Sequence, residues 1–270
     1  MNPLLDKLTI AIPVYNDAVY LEQTIESCVG QAGRVLLYDN ASTDGCEDIC
    51  RRAAEQHPSV THHRQTENVG ALENFKQPLF ACETPYFAWV GSHDLLEPGY
   101  GLHLVRALEA DPDSVLACGV IQHIDEEGNP LKRIESNWLT PERQKSPLDR
   151  IELLAHRLRD CFIFHGVHRT SALREAWFDQ HCLGSDRIIL FREIAAGPFR
   201  FVPEATFKAR DFPKTRDPRQ DRERRSKTLS GEKQKPLKKS NFVRNQQLML
   251  TALHNSHDDA TLTQALRIID

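Results

Sequence analysis

The chain has 270 residues, 40% hydrophobic and 27% charged, with a formal net charge of −4, the make-up of a globular protein with one large domain or one domain and an appendage. No apolar run reaches the roughly 18 residues that a membrane span needs, and no basic segment followed by a signal core opens the chain, so a cytoplasmic location is expected. Seven cysteines, scattered without a CxxC pair, argue against a disulfide framework or a zinc site and read as reduced core residues.

In chain order, Leu8 to Tyr15 is a short apolar run of the kind buried on both faces of a parallel sheet. Leu21, Ile25, Cys28 and Val29 then share one helix face, with Asn16 or Asp17 as its cap. Val35 to Tyr38 is a second strand, and Asp44 with Glu47 marks a helix that turns Ile49 and Ala53 inward. Val60 to His63 is a third strand; Gly70 to Phe80 reads as a helix broken at Pro78. Tyr86 to Val90 is the fourth strand, Pro98 suits the first turn of a helix ending near Ala110, and Val115 to Ile121 is the fifth strand. Asp125 to Asn129 supplies a hairpin turn. Ile188 to Ile194 form a later apolar helix ended by Gly197-Pro198, which Ser185 can cap.

This alternation specifies an α/β fold, a doubly wound, mostly parallel sheet with helices on both faces. Polar residues stand where strands end: Asn16-Asp17, Asp39-Asn40 and Ser92-His93-Asp94. Open α/β sheets bind ligands at that carboxyl edge, so these clusters are positioned to hold a nucleotide and a cation together.

Charge divides the chain. Residues 208–240 hold thirteen Lys or Arg against five Asp or Glu, a local +8 beside −12 for the remainder. This stretch reads as an exposed linker, followed by one or two closing helices over Phe242 to Leu253 and Leu262 to Ile269. The division expected is a domain over 1–210, with a nucleotide half over about 1–120 and an acceptor half over 121–210, and a basic helical extension over 211–270.

Five segments occur in order: Thr9-Ile-Ala-Ile-Pro-Val-Tyr-Asn16, Leu37-Tyr-Asp-Asn-Ala-Ser-Thr-Asp-Gly45, Glu67-Asn-Val-Gly70 with Asn74, Trp89-Val-Gly-Ser-His-Asp-Leu-Leu-Glu-Pro98, and Gly184-Ser-Asp-Arg187. Together they resemble a family 2 glycosyltransferase of the GT-A fold, inverting and of the bacterial polysaccharide type. The resemblance implies that Asp39 reads the donor's nucleobase, that Pro13, Tyr15 and Asn16 line the base pocket, and that Asp44 and Asn68 approach the ribose and diphosphate. Helix capping by Asp44 and turn formation by Asn68 are the structural alternatives.

The same resemblance gives Asp94 to a divalent ion that bridges the donor's phosphates. The family usually has two or three aspartates where this chain has Ser92-His93-Asp94. Ser92 and His93 then belong to the donor side, and an imidazole beside the ion favours Mn²⁺ over Mg²⁺. Lys208 and Arg210 stand where the family often has an Arg and a His, and are expected to bind phosphate oxygens. Asp186 matches the catalytic base. Phe162 to Arg169 resembles a segment on the acceptor side, so His165, Arg169, Trp138 and Trp177 are candidates for sugar contact, although Phe162, Phe164 and Trp177 also suit the core.

The implied activity is transfer of a sugar from a nucleotide-sugar donor, UDP being favoured, to a saccharide or lipid-linked acceptor in bacterial surface polysaccharide or lipopolysaccharide synthesis. A catalytically weak nucleotide-sugar- or glycan-binding partner protein is the alternative. No G-x-G-x-x-G, Walker A or G-x-S-x-G motif is present, which disfavours dinucleotide, P-loop and hydrolase readings. Residues 208–240 suit either an anionic membrane surface at the inner face of the cell membrane or a linker or homodimer contact; they lack the interleaved aromatics of a nucleic-acid binder.

Overall fold

The computed structural model describes residues 2–178 and 184–212. The expected closing helices, and most of the basic stretch, lie outside the described residues.

Four strands run parallel in the order β3, β2, β1, β4: β1 (Leu8–Val14), β2 (Arg34–Asp39), β3 (Val60–Arg64) and β4 (Tyr86–Trp89). The sheet continues through β8 (Val167–Arg169), antiparallel to both β4 and β6 (Leu116–Ile124). A long β9 (Phe199–Arg210) pairs parallel with β6, and short β5 (Leu95–Leu96) closes that edge. β7 (Pro130–Ile134) folds back on β6 as the hairpin expected around Asp125 to Asn129. The fifth strand is therefore not the neighbour of the fourth, because β8 inserts between them.

Alternation along β4 shows why two helical layers form. Phe87 and Trp89 point into one core with α3 (Ala71–Ala81), α5 (Pro147–Arg157), α6 (Thr170–Ala176) and α7 (Ser185–Ala196). Tyr86, Ala88 and Val90 point into the other, with α1 (Ala18–Cys28), α2 (Cys46–Gln56) and α4 (Tyr100–Ala110). Every residue of β1 is buried, as a strand covered on both faces requires.

Some local expectations are corrected. α3 runs through Pro78 without a break. Pro98 lies ahead of α4, whose cap is Gly99 in the left-handed region at φ 89°. Neither Asn16 nor Asp17 caps α1 with its side chain, and α7 starts at Gly184, φ 91°, with no cap from Ser185. In each case glycine geometry or a carboxylate from a neighbouring loop does the work assigned to a local side chain. Five of the six described cysteines, 28, 46, 50, 82 and 118, are buried, and Cys161 is half-buried; all six are unbridged.

Candidate active site

The carboxyl ends of β1, β2 and β4 deliver three loops to one edge, and hydrogen bonds lock them together. Asn16, in the left-handed region at φ 54°, accepts from the Thr43 N–H at 2.8 Å and donates its own N–H to Ser42 Oγ at 3.1 Å. Asp44 caps two helices at once: Oδ2 accepts from the Ala18 N–H at 2.9 Å and Oδ1 from the Cys46 N–H at 3.2 Å. Burial opposes ionisation of Asp44, but these donors outweigh it and hold its carboxyl below the ordinary value.

Asp39 is fully buried at the end of β2. Its Oδ1 accepts from the Ser42 N–H at 2.9 Å, and Oδ2 pairs with the Arg64 guanidinium. The pairing follows from register, since Asp39 and Arg64 stand opposite each other at the ends of β2 and β3. A carboxylate oxygen has room for more than one donor, so Asp39 can still accept from a ligand N–H. Behind it, Asn40 Nδ2 donates to Asn68 Oδ1 at 2.8 Å, and Asn68 Oδ1 also accepts from the Gly70 N–H at 2.9 Å. Asn68 thus shapes the turn into α3. Asn74 donates to the Tyr38 carbonyl at 2.9 Å, while its buried Oδ1 has no partner among the described residues. Pro13 is buried and Tyr15 half-buried at the same edge.

After β4, Ser92 Oγ donates to Asp17 Oδ2, and His93 Nδ1 lies 3.1 Å from the same oxygen. Burial disfavours the charge on Asp17, yet the bonds from His93 and Ser92 hold its carboxyl below the usual range. Burial likewise disfavours the His93 cation, and contact with Asp17 and the nearby Asp94 more than compensates, raising that imidazole. Asp94 is 5% exposed and its Oδ1 accepts the Arg210 N–H at 2.8 Å. Burial pushes its carboxyl up against the opposing pull of His93, His165 and Arg210. Asp94 Oδ2 occupies the space where a Cβ on Gly91 would sit, with His93 Nε2 3.9 Å from that position. The two donor atoms therefore converge over a glycine.

Among the described residues no group of three or more His, Cys, Asp or Glu is arranged to hold a metal. Asp94 Oδ2 and His93 Nε2 fit a cation whose remaining ligands come from substrate phosphates and water, a common way of holding Mg²⁺ and related ions.

Two cations are placed differently from the phosphate-binding role expected of them. Arg210 is 5% exposed, with Nε donating to the His93 carbonyl at 2.9 Å and Nη1 to the carbonyls of Asp125 and Glu126 at 3.0 and 2.7 Å. It braces the Asp94 turn from behind. Lys208 pairs with Glu97 across β5 and β9.

The other half of the site is carried by a 3₁₀ turn, Phe162–His165, and by α7. Asp186 lies in the first turn of α7, half-buried, with Oδ1 accepting the Arg187 N–H at 2.8 Å. The Cys161 thiol, at the start of the 3₁₀ turn, is within hydrogen-bond reach of Asp186, and burial together with that carboxylate pushes the thiol up to about 12. His165, at the other end of the turn, feels the charges of both Asp94 and Asp186. Two turns along α7, Glu193 meets His168 at 2.9 Å with both side chains fully buried, which ties the helix to β8. Arg169 is not at this edge. It pairs in register with Tyr86 at the opposite end of β4 and donates to the carbonyls of Ser114, Leu108 and Asp111. Trp177 and Phe164 are buried in the core, and Trp138 packs on it.

The fold and this edge define an α/β domain with a polar loop cluster at the carboxyl ends of its parallel strands, and comparison with known proteins places it in a family. The profile described as Glycosyl transferase family 2 matches residues 9–179, and the chain belongs to that family. An uncharacterised glycosyltransferase of Rickettsia conorii is 27% identical over 158 residues, 57% of this chain and 26% of that one. Chondroitin synthase of Escherichia coli is 25% identical over 199 residues, 72% of this chain and 27% of that one. The chain thus spans only about a quarter of these relatives. Among solved structures, S. aureus TarS 1-349 in complex with UDP-GlcNAc superposes with a TM-score of 0.62 at 14% identity, covering 96% of this chain and 70% of that one. GalNAc-T7 with UDP, GalNAc and Mn²⁺ gives 0.59 at 14%, covering 78% and 45%. Both likenesses concern the fold. No helix among the described residues is long and apolar enough to cross a membrane.

Sequence reading missed Arg64, whose register with Asp39 was its signal, and the Glu193–His168 pair, which lies 25 residues apart in the chain. It placed Asp17 at the strand-end edge and as a cap, and did not anticipate its contacts with Ser92 and His93.

Proposed function

We propose that the protein is an inverting glycosyltransferase that moves a sugar from a UDP-sugar to a hydroxyl of a saccharide or lipid-linked acceptor in bacterial surface polysaccharide synthesis. The observation that carries this reading is a set of three carboxylates: Asp39 buried at the β2 end, Asp94 buried after β4, and Asp186 in the first turn of α7, the last two both acting on the charge of His165.

In this reading Asp39 accepts the imide N–H of uracil, with Tyr15 and Pro13 beside the base and the Asn16, Asp44 and Asn68 loops toward the ribose and diphosphate. The acceptor oxygen attacks the anomeric carbon as Asp186 takes its proton. The bond from that carbon to the diphosphate oxygen breaks, and the nucleoside diphosphate leaves with the electron pair. One displacement inverts the anomeric centre. Asp94 and His93 would hold a divalent cation, Mn²⁺ ahead of Mg²⁺ because of the imidazole, which would supply neutralising charge for the departing diphosphate. Arg210 and Asp17 hold the two ligating residues in place.

The glycosyltransferase relatives and the UDP-GlcNAc and Mn²⁺ complexes of similarly folded proteins support this choice of donor and ion. The test is UDP release from UDP-GlcNAc with Mn²⁺ or chelator in the presence of oligosaccharide acceptors. Release is expected to need acceptor and cation and to fall at least a hundredfold in Asp186→Asn; an undiminished Asp186→Asn would contradict the assignment. Peripheral attachment to anionic lipid through residues 208–240 is proposed on composition, and liposome sedimentation that is indifferent to anionic lipid would remove it.

A further inference from the structure

We propose that His165 reads a hydroxyl of the transferred sugar through Nε2, acting as an obligate hydrogen-bond acceptor between the diphosphate and the base. The inference deepens the donor reading above and rests on it.

The tautomer is set by geometry. His165 Nδ1 lies 3.1 Å from the Trp89 carbonyl, and a carbonyl only accepts, so Nδ1 carries the hydrogen. In the neutral ring Nε2 is then an acceptor and nothing else. Among the described residues Nε2 has no partner. The ring is fixed in orientation by stacking on Phe207, centroids 4.9 Å apart and planes 19° apart, and by the edge of Phe164 at 6.0 Å. Burial lowers this imidazole from its ordinary value, against the pull of Asp94, the Trp89 carbonyl and Asp186, with His93 acting in the same direction as burial.

Position supplies the ligand. Cys161, at the start of the 3₁₀ turn, touches Asp186; His165 ends that turn beside the last residue of β4, and Asp94 lies five residues beyond Trp89. During transfer the sugar must lie between the diphosphate at Asp94 and the incoming oxygen at Asp186. His165, bonded to the end of β4 and under the charge of both carboxylates, then flanks the sugar ring, whose hydroxyls are the donors that a lone imidazole acceptor needs. Leaving such a site unmatched costs affinity, so the residue discriminates sugars and leaves the nucleotide alone.

Two substitutions separate the functions of the two ring nitrogens. Asn at 165 places its amide near Nδ1, keeping the Trp89 bond and losing Nε2; Gln places its amide oxygen near Nε2. The experiment is calorimetric titration of the full chain, with Mn²⁺, by UDP and by UDP-GlcNAc, UDP-glucose and UDP-galactose, on wild type, His165→Asn and His165→Gln. At least one sugar is expected to bind wild type more tightly than UDP. That advantage should fall about tenfold in His165→Asn and be largely kept in His165→Gln, with UDP itself unchanged in both. An advantage unchanged in His165→Asn, lost equally in both variants, or absent from wild type for every sugar tested would overturn the role of His165. Failure of wild type to bind UDP at all would instead overturn the donor reading.

Discussion

The guanidinium of Arg210 lies over the ring of Tyr20, 4.5 Å from its centroid, and so joins the end of β9 to α1 behind the Ser92-His93-Asp94 turn. The same group donates to the carbonyls of His93, Asp125 and Glu126. Arg210→Ala leaves three carbonyls without their donor and is expected to cost about 3 kcal/mol or more of stability. Arg210→Lys should restore less than half, because an ammonium cannot span the fork. Urea denaturation of the two variants checks this, and equal recovery by Lys would show that charge alone matters.

Asp44 bridges two helix starts, so its removal should be felt as the loss of two caps. Asp44→Ala is expected to lower stability by about 1–2 kcal/mol, and Asp44→Asn, which keeps one acceptor oxygen, by roughly half as much. A urea series measures both. An Asp44→Ala variant as stable as wild type would leave Asp44 with a purely ligand-facing role.

Asp94 makes the opposite prediction. Burial raises its carboxyl above the ordinary 3.8, so the folded chain holds that proton to higher pH than the unfolded chain does. Above about pH 4 the folded state binds more protons, and this group's contribution to stability falls as pH rises through the folded value. Asp94→Asn keeps the acceptor for the Arg210 N–H and removes the buried charge. At pH 7 its melting temperature should equal or exceed that of wild type, with the gain fading below pH 3.8, while any added stabilisation by Mn²⁺ and UDP is lost. Thermal scans at several pH values would contradict this if the variant were less stable at neutral pH.

Glu193 and His168 are both fully buried and 2.9 Å apart. Glu193→Ala strands a buried imidazole and is expected to cost about 3–5 kcal/mol. Glu193→Gln offers an amide N–H to Nδ1 and should recover most of that. Equal losses in the two would mean that the carboxylate itself, and neither side-chain volume nor an amide hydrogen bond, fixes α7 to β8.

What the sequence revealed, and what it hid, follows from range of interaction. Three of the four parallel strands, β1, β2 and β4, were legible because each is built on a continuous apolar run, and the polar residues at their ends are local signals. Asp39 could be recognised without a structure for this reason. Arg64 could not, because its meaning lies in the register between β2 and β3. The antiparallel insertion of β8 was hidden because three residues, Val167 to Arg169, carry no periodicity. Helix starts were misassigned where a distant carboxylate or a glycine with positive φ replaced a local cap, as at α1 and α7. Arg210 was expected to bind phosphate oxygens, and only the fold shows it turned onto the carbonyls of His93, Asp125 and Glu126.

The central claim is that the edge around Asp39 binds a nucleoside diphosphate, and calorimetric titration of UDP, GDP and dTDP with Mn²⁺ on wild type and Asp39→Asn tests it most directly. In the variant an amide N–H faces Arg64 while the remaining oxygen stays on the Ser42 N–H. UDP is expected to bind the wild type in preference to GDP and to bind Asp39→Asn at least tenfold more weakly. Binding of none of the three by wild type, or UDP affinity unchanged in Asp39→Asn, would contradict it.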